Sequence, residues 1–214
     1  ERKIDFKKSY RRYPDQIKKF LKCFSEDEDI GIFLNAPYLS YTDIKNYLDG
    51  TLSLVKSICF QSDWDDEIFE EQKMINITEL KLSSLVFQIE NLNFFQSLKK
   101  LDLSQHTNVT SRQLLDIELE NLEILNISMS NVDESIFSEP CKILCNLREL
   151  YVSENKTIRF NISNSNLKKL KNLRVLDLSK TSTSDTEFSK ISQLKQLISL
   201  YISNLDISDQ GIRY

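Results

Sequence analysis

Leu173-Arg-Val-Leu-Asp-Leu-Ser-Lys-Thr-Ser-Thr-Ser-Asp185 is the stretch whose reading decides the fold. Leu173, Leu176 and Leu178 stand at offsets 0, 3 and 5. The segment reads as a short strand. Leu176 and Leu178 share one face, and Val175, Asp177 and Ser179 take the other, because strand side chains alternate with period two. The same offsets recur in Val55/Ile58/Phe60, Ile77/Leu80/Leu82, Leu98/Leu101/Leu103, Leu122/Leu125/Ile127, Leu147/Leu150/Val152 and Leu197/Leu200/Ile202. First positions at 55, 77, 98, 122, 147, 173 and 197 give steps of 22, 21, 24, 25, 26 and 24 residues. All twenty-one core positions are Leu, Ile, Val or Phe, which chance does not produce. One such strand cannot bury its apolar face alone, so the repeats must stack.

An L-x-x-L-x-L core with a period in the ~20–29 residue range resembles the leucine-rich-repeat superfamily across residues 51–214. The segments between strands carry helical patterns, as in Leu114, Leu115, Ile117 and Leu119, in Ile136, Phe137, Ile143 and Leu144, and in Phe188, Ile191 and Leu194. Strand plus helix per repeat predicts an α/β solenoid, a right-handed horseshoe with a parallel sheet on its concave face and helices on its convex face. Two regions are expected. Residues 51–214 hold seven repeat strands. The last repeat loses its helix after Gly211, so the natural chain is expected to run on.

Residues 1–50 are expected to form a helical N-terminal cap, because a solenoid's end repeat exposes its core. Pro14 suits a helix first turn, and Ile17, Phe20, Leu21 and Phe24 follow at helical spacing. The basic opening, with Arg2, Lys3, Lys7, Lys8, Arg11 and Arg12, reads as a solvated helix face or linker; a surface for acidic partners or lipid headgroups is the alternative. Ile30-Gly-Ile-Phe-Leu34 reads as the strand of a degenerate extra repeat starting at Asp29. Its helix would start near Ser40–Asp43, bury Ile44, Tyr47 and Leu48, and end at Gly50.

Composition narrows the function. The chain has 214 residues, 40 % hydrophobic content, a net charge of −4 and a pI of about 5.2. That suffices for one sizeable domain, and the acidic balance argues against sequence-independent nucleic-acid binding. No apolar run approaches the ~18 residues of a membrane span, and no signal-peptide pattern is present. Cysteines at 23, 59, 141 and 145 make no disulfide framework. Asn-x-Ser/Thr sequons start at Asn76, Asn108, Asn126, Asn155 and Asn161. Asn155 falls where a repeat buries an Asn, so a glycan there would disrupt the fold. A reducing, intracellular location, cytoplasmic or nuclear, is the expectation.

The outward face is readable from the offsets. Offset 4 gives Cys59, Lys81, Asp102, Asn126, Tyr151, Asp177 and Tyr201. Offset 2 gives Ser57, Glu79, Lys100, Ile124, Glu149, Val175 and Ser199. Offset 6 is a near-continuous serine ladder (Ser83, Ser104, Ser128, Ser153, Ser179, Ser203), read as structural because small hydroxyls allow a close turn. Tyr151 and Tyr201 fall two strands apart with Asp177 between them, ~10 Å at ~4.8 Å per strand. Tyrosine is enriched at binding hot spots. Tyr151, Tyr201, Asp177, Ile124, Glu149, Val175 and Asp102 are therefore the candidate partner-binding residues on the concave face. The usual buried-Asn position, offset 8, holds Asn only at Asn155.

No catalytic or metal constellation is present in the sequence. His106 is the only histidine and falls at a turn, where it reads as structural or exposed. Cys141 and Cys145 could share a metal at i, i+4, but no second ligand pair accompanies them. Gly-rich phosphate loops and nucleophile elbows are absent. Trp64, within Ser62-Asp-Trp-Asp-Asp66, reads as a rim or loop residue. The expectation is a non-catalytic protein-binding module without cofactor or metal.

A second resemblance is carried by Leu176-Asp-Leu-Ser-Lys-Thr-Ser-Thr-Ser-Asp185, which is similar to the L-D-I-S-x-T-x-I-x-D repeat of the ZYG-type (zygotic-arrest) proteins. Leu200-Tyr-Ile-Ser-Asn-Leu-Asp-Ile-Ser-Asp209 is similar but has Leu205 where Thr is expected, and Ile30-Gly-Ile-Phe33 resembles text near that family's start. The resemblance implies a substrate receptor of a cullin–RING ubiquitin ligase, docked on elongin C through an N-terminal box and followed by armadillo-like repeats. Thr51-Leu-Ser-Leu-Val-Lys56 begins like such a box, but Lys56 replaces the expected Cys or small residue. Docking on elongin C and a cullin would thus rest on residues before Glu1. The alternative is a scaffold or effector with no ligase.

Overall fold

The computed structural model describes residues 2–5, 30–33, 55–60, 77–82 and 89–212. Segments of three to six residues pair through their backbones into one parallel sheet. Among the described residues it has nine strands in chain order: β1 Arg2–Asp5, β2 Ile30–Phe33, β3 Val55–Phe60, β4 Glu79–Leu82, β5 Lys100–Asp102, β6 Ile124–Asn126, β7 Glu149–Tyr151, β8 Val175–Asp177 and β9 Ser199–Tyr201. Register follows the repeat. Leu80, Leu101, Leu125, Leu150, Leu176 and Leu200 stand side by side from β4 to β9. The architecture is the expected α/β solenoid.

Strand β1 departs from the sequence reading. Arg2 and Lys3, read as part of a solvated helix face or linker, lie in a strand that pairs Arg2 with Ile30 and Ile4 with Ile32. Parallel pairing is made by backbone groups, and a strand at the sheet's end needs no repeat signature in its side chains. Strand β2 falls where the degenerate repeat was expected, with an irregularity in its register to β3 between Ile30 and Gly31. The cap helix from Pro14, the helix from Ser40, and Trp64 lie outside the described residues.

The convex elements are shorter than the sequence pattern suggests. They are α1 Ser111–Leu115, α2 Ser135–Ser138, α3 Asn164–Lys169, α4 Asp185–Ile191 and α5 Asp209–Ile212, with 3₁₀ turns at Ile89–Phe94, Lys142–Leu144 and Leu170–Asn172. Ile117 and Leu119 lie beyond the end of α1 yet are buried, and Leu194 is buried beyond α4. A repeat of 21 to 26 residues must also turn twice, so helical spacing here marks burial rather than a long helix. Gln113 and Glu187 reach back to the Thr110 and Ser184 N–H groups at 3.1 and 2.8 Å, the reciprocal arm of a capping box. Ser163 Oγ accepts from the Asn166 N–H at 3.3 Å.

The core is three columns. Offsets 0, 3 and 5 of the five repeats from Ile77 to Leu178 are all 0–1 % exposed. Each such side chain contributes about 1.5–3 kcal/mol by leaving water. Leu197, Leu200 and Ile202 are only partly buried, because among the described residues β9 has a neighbouring strand on one side only.

After each strand the chain turns in a repeated way. At offset 4 the side-chain oxygens of Asp102, Asn126 and Asp177 accept from the N–H two residues on, those of Ser104, Ser128 and Ser179, at 3.0, 3.1 and 2.9 Å. At offset 7 Gln105, Met129, Glu154, Lys180 and Asn204 adopt φ of 56–65°, the left-handed region. The serine ladder fits the turn, and Ser153 Oγ donates to Ser128 Oγ at 3.0 Å.

Offset 8 then looks inward. Asn155, 2 % exposed, donates to Ile127 O at 2.8 Å and Val152 O at 2.9 Å and accepts from the Ser130 N–H at 2.8 Å. Thr181 Oγ1 meets Leu178 O at 2.7 Å. His106 is also 2 % exposed, but neither ring nitrogen has a hydrogen-bond partner. Burial holds its pKa below the usual 6.5, although its own backbone acts the other way. The folded state therefore binds a proton less readily than the unfolded chain. His106 costs no charge-related stability well above pH ~6.5 and destabilises as pH falls below it, toward the depressed folded value. His106→Asn is expected to reach Leu103 O as Asn155 reaches Val152 O. It should gain about 1 kcal/mol at pH 7 and more at pH 5.5, read by urea denaturation at both. A variant less stable than wild type at both pH values would contradict this reading.

Candidate functional site

Strands β6 to β9 set the candidate residues in a grid. Direct pairing puts Asn126 beside Tyr151, Tyr151 beside Asp177, and Asp177 beside Tyr201. The neighbouring row runs Ile124, Glu149, Val175, Ser199. Six of the seven candidates thus fall in one patch: Ile124, Glu149, Tyr151, Val175, Asp177 and Tyr201. Tyr201 is 52 % exposed, and the other five are half-buried.

Asp102 stands apart. It lies in β5, two strands from Tyr151, and its Oδ2 takes the Lys81 ammonium at 2.9 Å. Burial would raise its pKa, but hydrogen bonds from Ser104 and Lys81 outweigh that and hold the carboxyl below its ordinary value. Its two oxygens are committed to the turn and to this ion pair. Asp177 likewise gives one oxygen to Ser179, as above. The offset-4 carboxylates and amide therefore hold the turn, a role the outward-face reading missed. Its sequence signal is an Asp or Asn two residues before an offset-6 serine.

The tyrosines do no such work. Tyr151 has no carboxylate oxygen to offer the Ser153 N–H; its hydroxyl donates to Glu149 Oε2 at 2.8 Å. Burial, then this bond and the Glu149 charge, push the phenol up to about 12. Tyr151 is therefore neutral at physiological pH and donates to Glu149. Around the patch, cations and acids pair along its edges: Arg148 with Glu123 at 3.2 Å and Lys180 with Glu154 at 2.9 Å. Ile198, 77 % exposed, directly precedes β9.

The remaining chemistry-bearing groups are placed as follows. Cys141 is buried and its thiol is pushed up to about 11 by that burial, so it is no thiolate. Among the described residues no three potential ligands cluster for a metal. None of the described helices is long and apolar enough to cross a membrane. A cleft of about 650 Å³, which the sequence did not reveal, opens beside α2 and is lined by Glu134, Glu139, Lys156 and Arg159 among others.

No family model matches the chain, and no curated protein matches it. Solved structures do. An internalin (InlF) from Listeria monocytogenes aligns over 85 % of this chain and 49 % of its own, with a TM-score of 0.58 and 18 % identity. A chain of the mouse RP105/MD-1 complex aligns over 85 % of this chain and 31 % of its own, with a TM-score of 0.56 and 20 % identity. The fold is that of a leucine-rich-repeat solenoid, and this chain spans half or less of the length of these two.

Proposed function

We propose that this chain is a non-catalytic protein-binding module whose partner lies across β6 to β9 of the concave sheet. The observation that carries the reading is the direct register of Tyr151, Asp177 and Tyr201, with both rings free of the turn-making role that their offset otherwise serves. Half-buried Ile124 and Val175 add apolar area beside them. Charged edges with an aromatic centre match the anatomy of protein interfaces. The mouse RP105/MD-1 complex offers an example of this fold in a protein assembly.

The finer setting we propose is a substrate receptor or adaptor of a cullin–RING ubiquitin ligase in the cytoplasm or nucleus. It rests on the sequence resemblance alone, carried by Leu176–Asp185, Leu200–Asp209 and Ile30–Phe33. Purification of the full-length protein from its native cells tests it: co-recovery of elongin C and a cullin is expected, and specific partners without either would leave a scaffold instead.

The face itself is tested with any partner so recovered. Tyr151→Ala combined with Tyr201→Ala is expected to weaken binding at least about thirty-fold, taking ~2 kcal/mol for a hot spot. Circular dichroism should show the fold intact, since neither ring is in the core. Unchanged affinity would sink the idea.

A further inference from the structure

We infer that the patch between Tyr151 and Tyr201 is a receptor for an arginine side chain, presented by an extended basic segment of the protein partner. The inference rests on the concave-face reading and gives its partner a chemistry.

Charge is the first ground. The eight positions at offsets 2 and 4 of β6 to β9 hold two carboxylates, Glu149 and Asp177, and no cation. Among the described residues neither carboxylate has an ion pair. Glu149 accepts only the Tyr151 hydroxyl, and Asp177 only the Ser179 N–H. The first half of the same face differs: there Lys81 neutralises Asp102. At the patch's edges Glu123 occupies Arg148 and Glu154 occupies Lys180. Arg174, the residue before Val175, is the nearest cation in sequence without an ion pair, and it sits at the strand's entry rather than on the two-row grid. The grid thus keeps two uncompensated negative charges on a surface where a partner would strip water from them, and a buried interfacial charge needs a counter-charge.

Shape is the second ground. Tyr151 and Tyr201 flank Asp177 in direct register. Two strand spacings separate their backbones by ~10 Å. One planar group in contact with a ring on either side needs ~7–8 Å, two contacts of ~3.5–4.0 Å. A guanidinium is flat, stacks on aromatic faces, and bonds a carboxylate with two parallel N–H groups. Asp177 keeps one oxygen outside the turn and stands between the two tyrosines in the register of the sheet. An ammonium would satisfy the charge without stacking flat on the rings.

The test uses a random dodecapeptide phage library panned on the full chain, followed by fluorescence anisotropy of the selected peptides. Two variants separate the readings. Asp177→Asn with Glu149→Gln removes the charge while keeping the turn, because Asn126 already makes the same bond to Ser128. Tyr151→Ala with Tyr201→Ala removes the walls. The expected result is peptides enriched in arginine that bind wild type at least tenfold more tightly than either variant. They should lose a similar factor on Arg-to-citrulline replacement, and less on Arg-to-lysine. Peptides without arginine enrichment that depend on the tyrosines but not on the carboxylates would overturn this inference and leave the concave-face reading standing. Peptides indifferent to both variants would overturn both, and a library yielding no binder would overturn the inference.

Discussion

Asn155→Ala is expected to destabilise the protein by about 3 kcal/mol. The amide nitrogen joins two carbonyls, Ile127 O in its neighbour and Val152 O in its own repeat, and the amide oxygen takes the Ser130 N–H. Truncation removes three bonds, each worth about 1 kcal/mol net, and leaves buried groups without partners at ~1–3 kcal/mol apiece. Relaxation and water recover part of that sum. The loss is read from urea denaturation. Since a solenoid's stability is a sum of repeat and nearest-neighbour terms, hydrogen exchange should accelerate most in residues 122–172 and least in the repeats beyond them. A loss below about 1 kcal/mol would mean that the bracket is not a coupling between repeats. The same burial makes Asn155 inaccessible to a glycan in the folded state.

Phe137→Ala is the second large effect, expected to cost about 3–5 kcal/mol. Phe137 and Phe160 are both 0 % exposed, with ring centroids 4.9 Å apart and planes inclined at 58°. They belong to successive repeats, so the pair fastens the convex side as Asn155 fastens the turn side. Backbone partners converge at the same place. Phe137 O accepts the Ser163 N–H at 2.9 Å and Asn166 Nδ2 at 2.9 Å. A cavity at Phe137 would therefore loosen the start of α3 as well as lose apolar contact. Phe137→Leu, which refills most of the volume, should recover more than half of the loss in the same denaturation measurement.

Lys81 and Asp102 illustrate how charge on the face divides. They pair across β4 and β5, whereas Glu149 and Asp177 have no ion pair among the described residues. Position in the repeat was readable for all four, and the shared offset already makes Lys81 and Asp102 neighbours across β4 and β5; that their side chains close an ion pair is decided by rotamers, which the repeat does not encode.

The sequence by itself determined the period, the three core columns and the order and register of the repeat strands. All three follow from where apolar residues recur, and a strand's period of two then assigns every offset to the core or the outward face. It also determined that Tyr151, Asp177 and Tyr201 are neighbours. Tertiary structure decided what those offsets do. Asp102, Asn126 and Asp177 hold the turn, and Asp102 is further consumed by Lys81, so a residue read as a binding candidate proved to be already engaged. Asn166, unremarked in the sequence, is fully buried and reaches Phe137 O and Glu139 O across to the preceding repeat. His106 is enclosed without a partner. Arg2–Asp5 joined the sheet with no repeat signature to announce it. Helical spacing at Leu114–Leu119 became one helical turn and a buried loop. The turn bonds are local and carry the Asp/Asn-x-Ser signal, whereas the Asn166 bonds and the β1 pairing link residues about one repeat apart through backbone groups, which leave no mark in local side-chain periodicity.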